Sequence, residues 1–155
     1  MRSSKFVRRW LCVLGLLGAL LGCSQGPAPG EVFGDSLVAA FDGAGPGDRS
    51  IRVIELTQFE WDQMHVFPPN SPLKTVSESL GQALPYEVYQ MRIFERDDIN
   101  LIVFLKGGSI VAALPLDRAR LEITVPEGIG ALAPGAAVFK RSRAGRGLTL
   151  EGSAG

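Results

Sequence analysis

The beginning of this chain limits its fold most, because it removes both residues and cross-links from the part that can fold. Arg2, Lys5, Arg8 and Arg9 lead into an apolar run from Trp10 to Leu21. A permanent spanning helix needs roughly 20 apolar residues, and this run has about a dozen, so residues 1–22 read as a cleavable export signal. Four of the 16 basic residues leave with that leader while all 16 acidic ones stay, so the remaining chain carries a net charge of about −4. That balance does not suit a polyanion-binding protein. Cys12, one of two cysteines, also leaves. No disulfide can then close within the chain, although an exported protein meets an oxidising compartment. Stability has to come from a packed core, and the stretch from Ser50 onward is long enough for one domain of ordinary size.

The leader ends in Leu20-Leu21-Gly22-Cys23, which resembles the lipobox of bacterial lipoproteins: an aliphatic residue, a tolerated position, a small residue and the cysteine that is lipidated. Leu at the second position is less common there than Ala, Ser or Thr. The resemblance implies a diacylglycerol on the Cys23 thiol and an acylated amino terminus after cleavage, which together hold a protein stably where one chain would not. Ser24 in the position after the cysteine, rather than Asp, implies sorting to the outer membrane. Residues 23–50 are expected to be a tether. Residues 24–30, SQGPAPG, have too little apolar surface to offset the entropy of ordering them. Residues 32–41 fit either a short helix capped by Asp35 or Ser36 or a partly ordered linker, and residues 42–48, DGAGPGD, break it.

Residues 51–151 are expected to form the domain, with residues 152–155 frayed. The β-branched stretch 51–57, IRVIELT, has apolar side chains at both parities and reads as a central strand. In residues 61–67, alternation puts Trp61, Gln63, His65 and Phe67 on one face and Asp62, Met64 and Val66 on the other; Pro68-Pro69 ends the strand. A helix follows, with Ser71 as N-cap, Pro72 in its first turn, Leu73, Val76, Ser77 and Leu80 at helical spacing, and Gly81 after its end. Trp61 and Leu80 are expected to meet between sheet and helix. Residues 88–95, 99–105 and 109–114 read as a three-stranded antiparallel meander turned at Arg96-Asp97-Asp98 and at Lys106-Gly107-Gly108. Residues 116–125 fit a strand or a helical turn, residues 126–135 a loop, and residues 136–142 and 147–151 a last hairpin.

The stretch FEWDQMHVFPPNSPLKTVSESLG, residues 59–81, resembles a motif of small bacterial lipoproteins and exported proteins of uncharacterised function, in which a Trp-Asp strand runs through an aromatic and a proline loop into a helix. Trp61, Asp62, Phe67, Pro69 and Ser71 occupy the matching places, and Asn70 stands where that pattern usually has Tyr. Residues 94–111 and 135–140 resemble later parts of the same family. The resemblance implies a single α+β domain and no particular activity.

Candidate chemistry is sparse. His65 is the single histidine, and Asp62 and Glu60 stand at odd offsets from it, pointing away on a flat strand. No metal-ligand spacing, nucleophile elbow or phosphate loop is present, and Asp97-Asp98 reads as turn chemistry. Asp62 is expected to take an Arg or backbone partner, because an unpaired buried carboxylate is too costly; a ligand-binding role is the alternative. A candidate ligand-binding surface comprises Trp61, Asp62, His65, Phe67 and Asn70. Lys140, Arg141, Arg143 and Arg146 form a basic patch that guards an edge strand or meets lipid phosphates or acidic envelope polymers. The expected fold is α+β: one domain, a mainly antiparallel sheet of about five or six strands, and a helix on one face. The expected role is a non-catalytic envelope module without cofactor, metal or nucleic acid, held to the membrane through Cys23 and able to meet an envelope protein. A small-ligand-binding or inhibitor protein, with its site at the loop of residues 68–72, is the alternative.

Overall fold

The computed structural model describes residues 26–44, 50–142 and 147–152. The leader, Cys23, most of the glycine-rich break after residue 42, Arg143, Arg146 and the last three residues lie outside them. The fold fits a single α+β domain built around a three-stranded antiparallel sheet. Its strands are β2 (Gln63–Phe67), β3 (Ile99–Lys106) and β4 (Ser109–Asp117), in the order β2-β3-β4. A second sheet holds β1 (Ser50–Arg52), β5 (Glu122–Thr124), β6 (Val138–Arg141) and β7 (Gly147–Glu151), in the order β1-β6-β7-β5, antiparallel except for β5 beside β7. The helices are α1 (Pro29–Gly43), α2 (Leu73–Leu80) and α3 (Tyr86–Gln90). Among the described residues, no helix is long and apolar enough to cross a membrane.

The five-residue apolar run Leu101–Leu105 in β3 explains the layering. Residues of one parity, Leu101, Val103 and Leu105, pack with Phe67, Val76, Leu80, Val88 and Ile93 beneath α2 and α3. The other parity, Ile102 and Phe104, packs with Phe33, Leu37 and Phe41 of α1 and with Phe139, Leu148 and Leu150 of the second sheet. Both parities are therefore apolar because both faces are covered. The turn between β3 and β4 uses Gly107 (φ 56°) and Gly108 (φ 77°), the positive-φ pair of a two-residue hairpin. Opposite Phe104 and Leu105 the ladder slips, pairing them with Ala112 and Ile110 and leaving Val111 as the extra residue of a bulge.

Several expectations need correction. Residues 51–57 do not make a central strand: β1 stops at Arg52 on the edge of its sheet, and a 3₁₀ turn, Val53–Glu55, follows. The Val53 N–H still reaches the Ala137 carbonyl at 3.1 Å, after which the Arg52–Glu55 ion pair spans the turn and leaves Ile54 exposed. Residues 88–95 are not a strand either. Pro85, at φ −58°, starts α3, and Arg92 in the left-handed region separates it from the 3₁₀ turn Ile93–Glu95. The third strand of the meander is β2 instead, and among the described residues the strands number seven in two sheets, where one sheet of about five or six strands was expected.

Trp61 and Leu80 do not meet. Trp61 belongs to the core on the α1 side and Leu80 to the core under α2. Alternation holds only within an extended strand, and β2 begins at Gln63, after a bend at Asp62. Ser71 does not cap α2; its hydroxyl donates to the Pro68 carbonyl at 2.6 Å, and Pro72 takes the cap position. Gly81 ends α2 in the left-handed conformation, as expected. Gly152, expected to fray, packs against Leu132.

The tether also ends sooner than expected. Of the two readings left open for residues 32–41, the helix is observed, and it is longer, running from Pro29 with Ala28 as its N-cap. Pro29 lacks the N–H that a first helical residue cannot use, and Glu31 accepts from the Ala28 N–H at 3.2 Å. Asp35 and Ser36 are internal, and the Ser36 hydroxyl donates to the Val32 carbonyl at 2.8 Å. At the far end Arg141 lies over the Phe41 ring, 4.4 Å from its centroid, and donates to the Ala44 carbonyl. A cation there complements the negative end of the helix dipole. Lys140 pairs with Glu151 at 2.7 Å. β6 lies between β1 and β7, so Lys140 and Arg141 do not guard an edge strand as expected, and each has a partner within the domain; Arg143 and Arg146 lie outside the described residues.

Candidate functional site

A cleft of about 430 Å³ opens where β2 ends. His65 and Phe67 from the strand, residues 68–72 of the proline loop, Thr75 and Ser79 of α2, and residues 125–127 with Ile129 and Gly130 line it. The local sequence fixes this shape. Pro68 and Pro69 cannot continue the ladder, so the chain leaves the sheet and turns at Asn70, whose φ is 59°. Asn tolerates that left-handed conformation better than most residues, and its N–H donates to the Arg96 carbonyl at 2.9 Å. The opposite wall is held by the bridge between Met64 and Leu132, with backbone bonds of 2.8 and 2.9 Å.

Of the five residues expected to form a binding surface, His65, Phe67 and Asn70 line the cleft; Trp61 and Asp62 do not. Trp61 is buried, with its indole N–H donating to the Thr57 hydroxyl at 3.0 Å. Asp62 accepts from the Gly107 N–H at 2.7 Å and donates its own N–H to the Leu105 carbonyl at 2.8 Å, clamping the β3–β4 hairpin, while its other carboxylate oxygen is buried without a partner. Asp98 is held by Arg96 through two hydrogen bonds, and the Arg96 guanidinium keeps its carboxyl below the usual range. Asp97 offers its backbone carbonyl to Arg118 at 2.9 Å. The Asp pair therefore shapes a turn. Among the described residues, no three His, Cys, Asp or Glu side chains gather as metal ligands would.

His65 is the chemically distinctive member of the cleft. Its ring stacks on Phe67 at 5.9 Å and 6° between planes, 5% of the residue is exposed, and Nε2 is enclosed without a hydrogen-bond partner. Burial lowers its pKa, so the ring is neutral at pH 7. The neutral ring, stacked on Phe67, contributes packing to the wall of the cleft. The lowered value also fixes the sign of a pH effect. The unfolded chain takes up the proton first as pH falls, so this part of the stability is complete above about 6.5 and is lost as pH descends through the folded-state pKa. The parent is expected to melt at a lower temperature near pH 5.5 than near pH 7.5, and His65→Phe should flatten that difference. Equal slopes for parent and variant in thermal melts would remove His65 as the sensor.

The walls contributed by Thr75, Ser79 and residues 125–130 were not foreseen as site residues. Thr75 and Ser79 are four apart on α2, a helical spacing that puts both on one face; nothing in the sequence marks residues 125–130 as their neighbours. No family model matches this chain, and neither the curated proteins nor the solved structures contain a match to it.

Proposed function

We propose that this chain is a bacterial lipoprotein, anchored through Cys23 in the envelope with its domain facing the periplasm from the outer membrane, and that the domain is a non-catalytic module that binds or supports an envelope partner. One observation carries the reading: a basic start, an apolar run too short to span, and Leu20-Leu21-Gly22-Cys23 stand in the order that export and lipidation require. The lack of a pair for Cys23 supports it too, since a lone cysteine in an exported chain is otherwise a reactive thiol. The packed, partnerless state of His65 supports the non-catalytic half. Cys23→Ala is expected to abolish processing and detergent-phase partitioning. The same acylated mass in parent and variant would sink the lipoprotein reading.

The cleft favours a second reading, in which the module binds a small ligand. Its volume of about 430 Å³ lies in the range of small-molecule sites, and a few polar groups, Asn70, Thr75 and Ser79, stand among apolar walls. Thr75 is exposed, so Thr75→Trp fills the cleft with little effect on the core. A metabolite that raises the melting temperature of the parent but not of Thr75→Trp supports this reading. A stoichiometric envelope protein recovered equally with both forms supports the first.

A further inference from the structure

We propose that the face formed by α3 and the outer edge of β4 rests on the bilayer surface beside the lipid anchor; this builds on the lipoprotein reading. Four large hydrophobic residues are exposed among those described, and three of them belong to these two elements: Tyr86 at 72% and Tyr89 at 44% on α3, and Val111 at 37% on β4. Between α3 and β4 runs an apolar groove of about 340 Å³, floored by Val88, Met91 and Ile110. One of its walls is Ala28 and Pro29, where the segment leading from Cys23 joins the domain. Ser24 to Ala28 is five residues, which reach about 18 Å at full extension. A cysteine held by its acyl chains therefore keeps the Ala28 end of this groove within a few residues' length of the lipid.

The chemistry of the face suits an interface between lipid and water. Tyr86 and Tyr89 stand three apart on the side of α3 turned away from the groove-lining Val88 and Met91, with Phe94 5.7 Å from the Tyr89 ring, and their two phenols present polar tips of the kind enriched at bilayer surfaces. Strand addition by a protein partner is the less suitable occupant, because Val111 bulges from the edge and Pro115 within β4 offers no N–H. Glu87 borders the groove and Arg92 is paired with Glu95, so contact would rest on apolar insertion rather than on attraction to anionic headgroups.

Single-thiol variants of the full chain test this, because processing leaves Cys23 acylated and any introduced cysteine as the one free thiol. Tyr86→Cys and Val111→Cys, with Thr124→Cys on β5 as the reference, are labelled with a fluorophore and reconstituted in phosphatidylethanolamine–phosphatidylglycerol vesicles doped with headgroup-level nitroxide lipid. Quenching at positions 86 and 111 is expected to be about twofold or more that at 124 and to persist when salt is raised to about 0.5 M. A chain that carries no acyl mass on Cys23 overturns both the anchor and the docking. An acylated chain that floats with vesicles but is quenched equally at the three positions overturns the docking alone. Protection of positions 86 and 111 that rises with protein concentration in detergent, without lipid quenching, assigns the face to a second copy and also overturns it.

Discussion

Phe104→Ala is expected to bring the domain to the edge of unfolding, a larger effect than any other single truncation in the sheet. Phe104 is fully buried and receives three edge-on aromatic contacts, from Phe33 of α1 at 5.0 Å, Phe59 at 5.1 Å and Trp61 at 5.2 Å. Removing a buried Phe side chain costs about 3–5 kcal/mol, and each lost ring pair adds about 0.5–1.5 kcal/mol beyond the area it buries. A domain of this size has only about 5–15 kcal/mol to lose, so the melting temperature should fall by roughly 10 °C or more. Phe104→Leu, which keeps most of the volume, should recover about half of the loss. Tyr86→Ala, on an exposed ring, should change little. Thermal and urea melts decide it: a Phe104→Ala variant within a degree or two of the parent would mean that α1, Trp61 and β3 do not share one core.

Phe104 could not be singled out from sequence, because the residues that surround it come from distant parts of the chain. Its run was legible as a strand, and Gly107-Gly108 marked the hairpin, because both signals are local. What covers each face is decided by residues far along the chain, so the division into two sheets and the parallel pairing of β5 with β7 were not legible. Residues 88–95 misled because aromatic and β-branched content reports a fit to half-buried surface, and here Pro85 and the left-handed Arg92 set the backbone instead. The start of α1 was hidden by the opposite effect: residues 26–30 read as linker by composition, yet a proline at the first helical position and Glu31 returning to the Ala28 N–H begin a helix. Half of the cleft was readable for the same reason as the hairpin. His65, Phe67 and Asn70 lie in one strand and turn, whereas the wall at residues 125–130 comes from a loop brought there by the bridge between Leu132 and Met64.

Gly30→Val is expected to loosen α1 from the domain although it improves the local helix. Valine is better than glycine in a helix by a few tenths of a kcal/mol, so propensity alone predicts a gain. Packing predicts the reverse and is larger. A Cβ at residue 30 would stand 2.6 Å from the Ala113 carbonyl oxygen and 3.1 Å from its carbon, atoms of the β4 backbone that cannot rotate away. At Gly34 the obstacle is Leu114 Cδ2 at 2.8 Å, the end of a side chain that has other rotamers, so Gly34→Ala should be much milder. If α1 lifts off, Phe33, Leu37 and Phe41 lose their burial at about 1.5–3 kcal/mol each, an upper bound of about 5–9 kcal/mol that the chain avoids in part by distorting β4. A net loss of about 3 kcal/mol or more follows, with hydrogen exchange accelerated over residues 31–43 and in β4 more than in β2. A variant that melts at or above the parent temperature would show that α1 is not docked through Gly30. Residues 24–43 would then behave as one long tether, and the groove at Ala28 and Pro29 would lose its fixed distance from the lipid anchor.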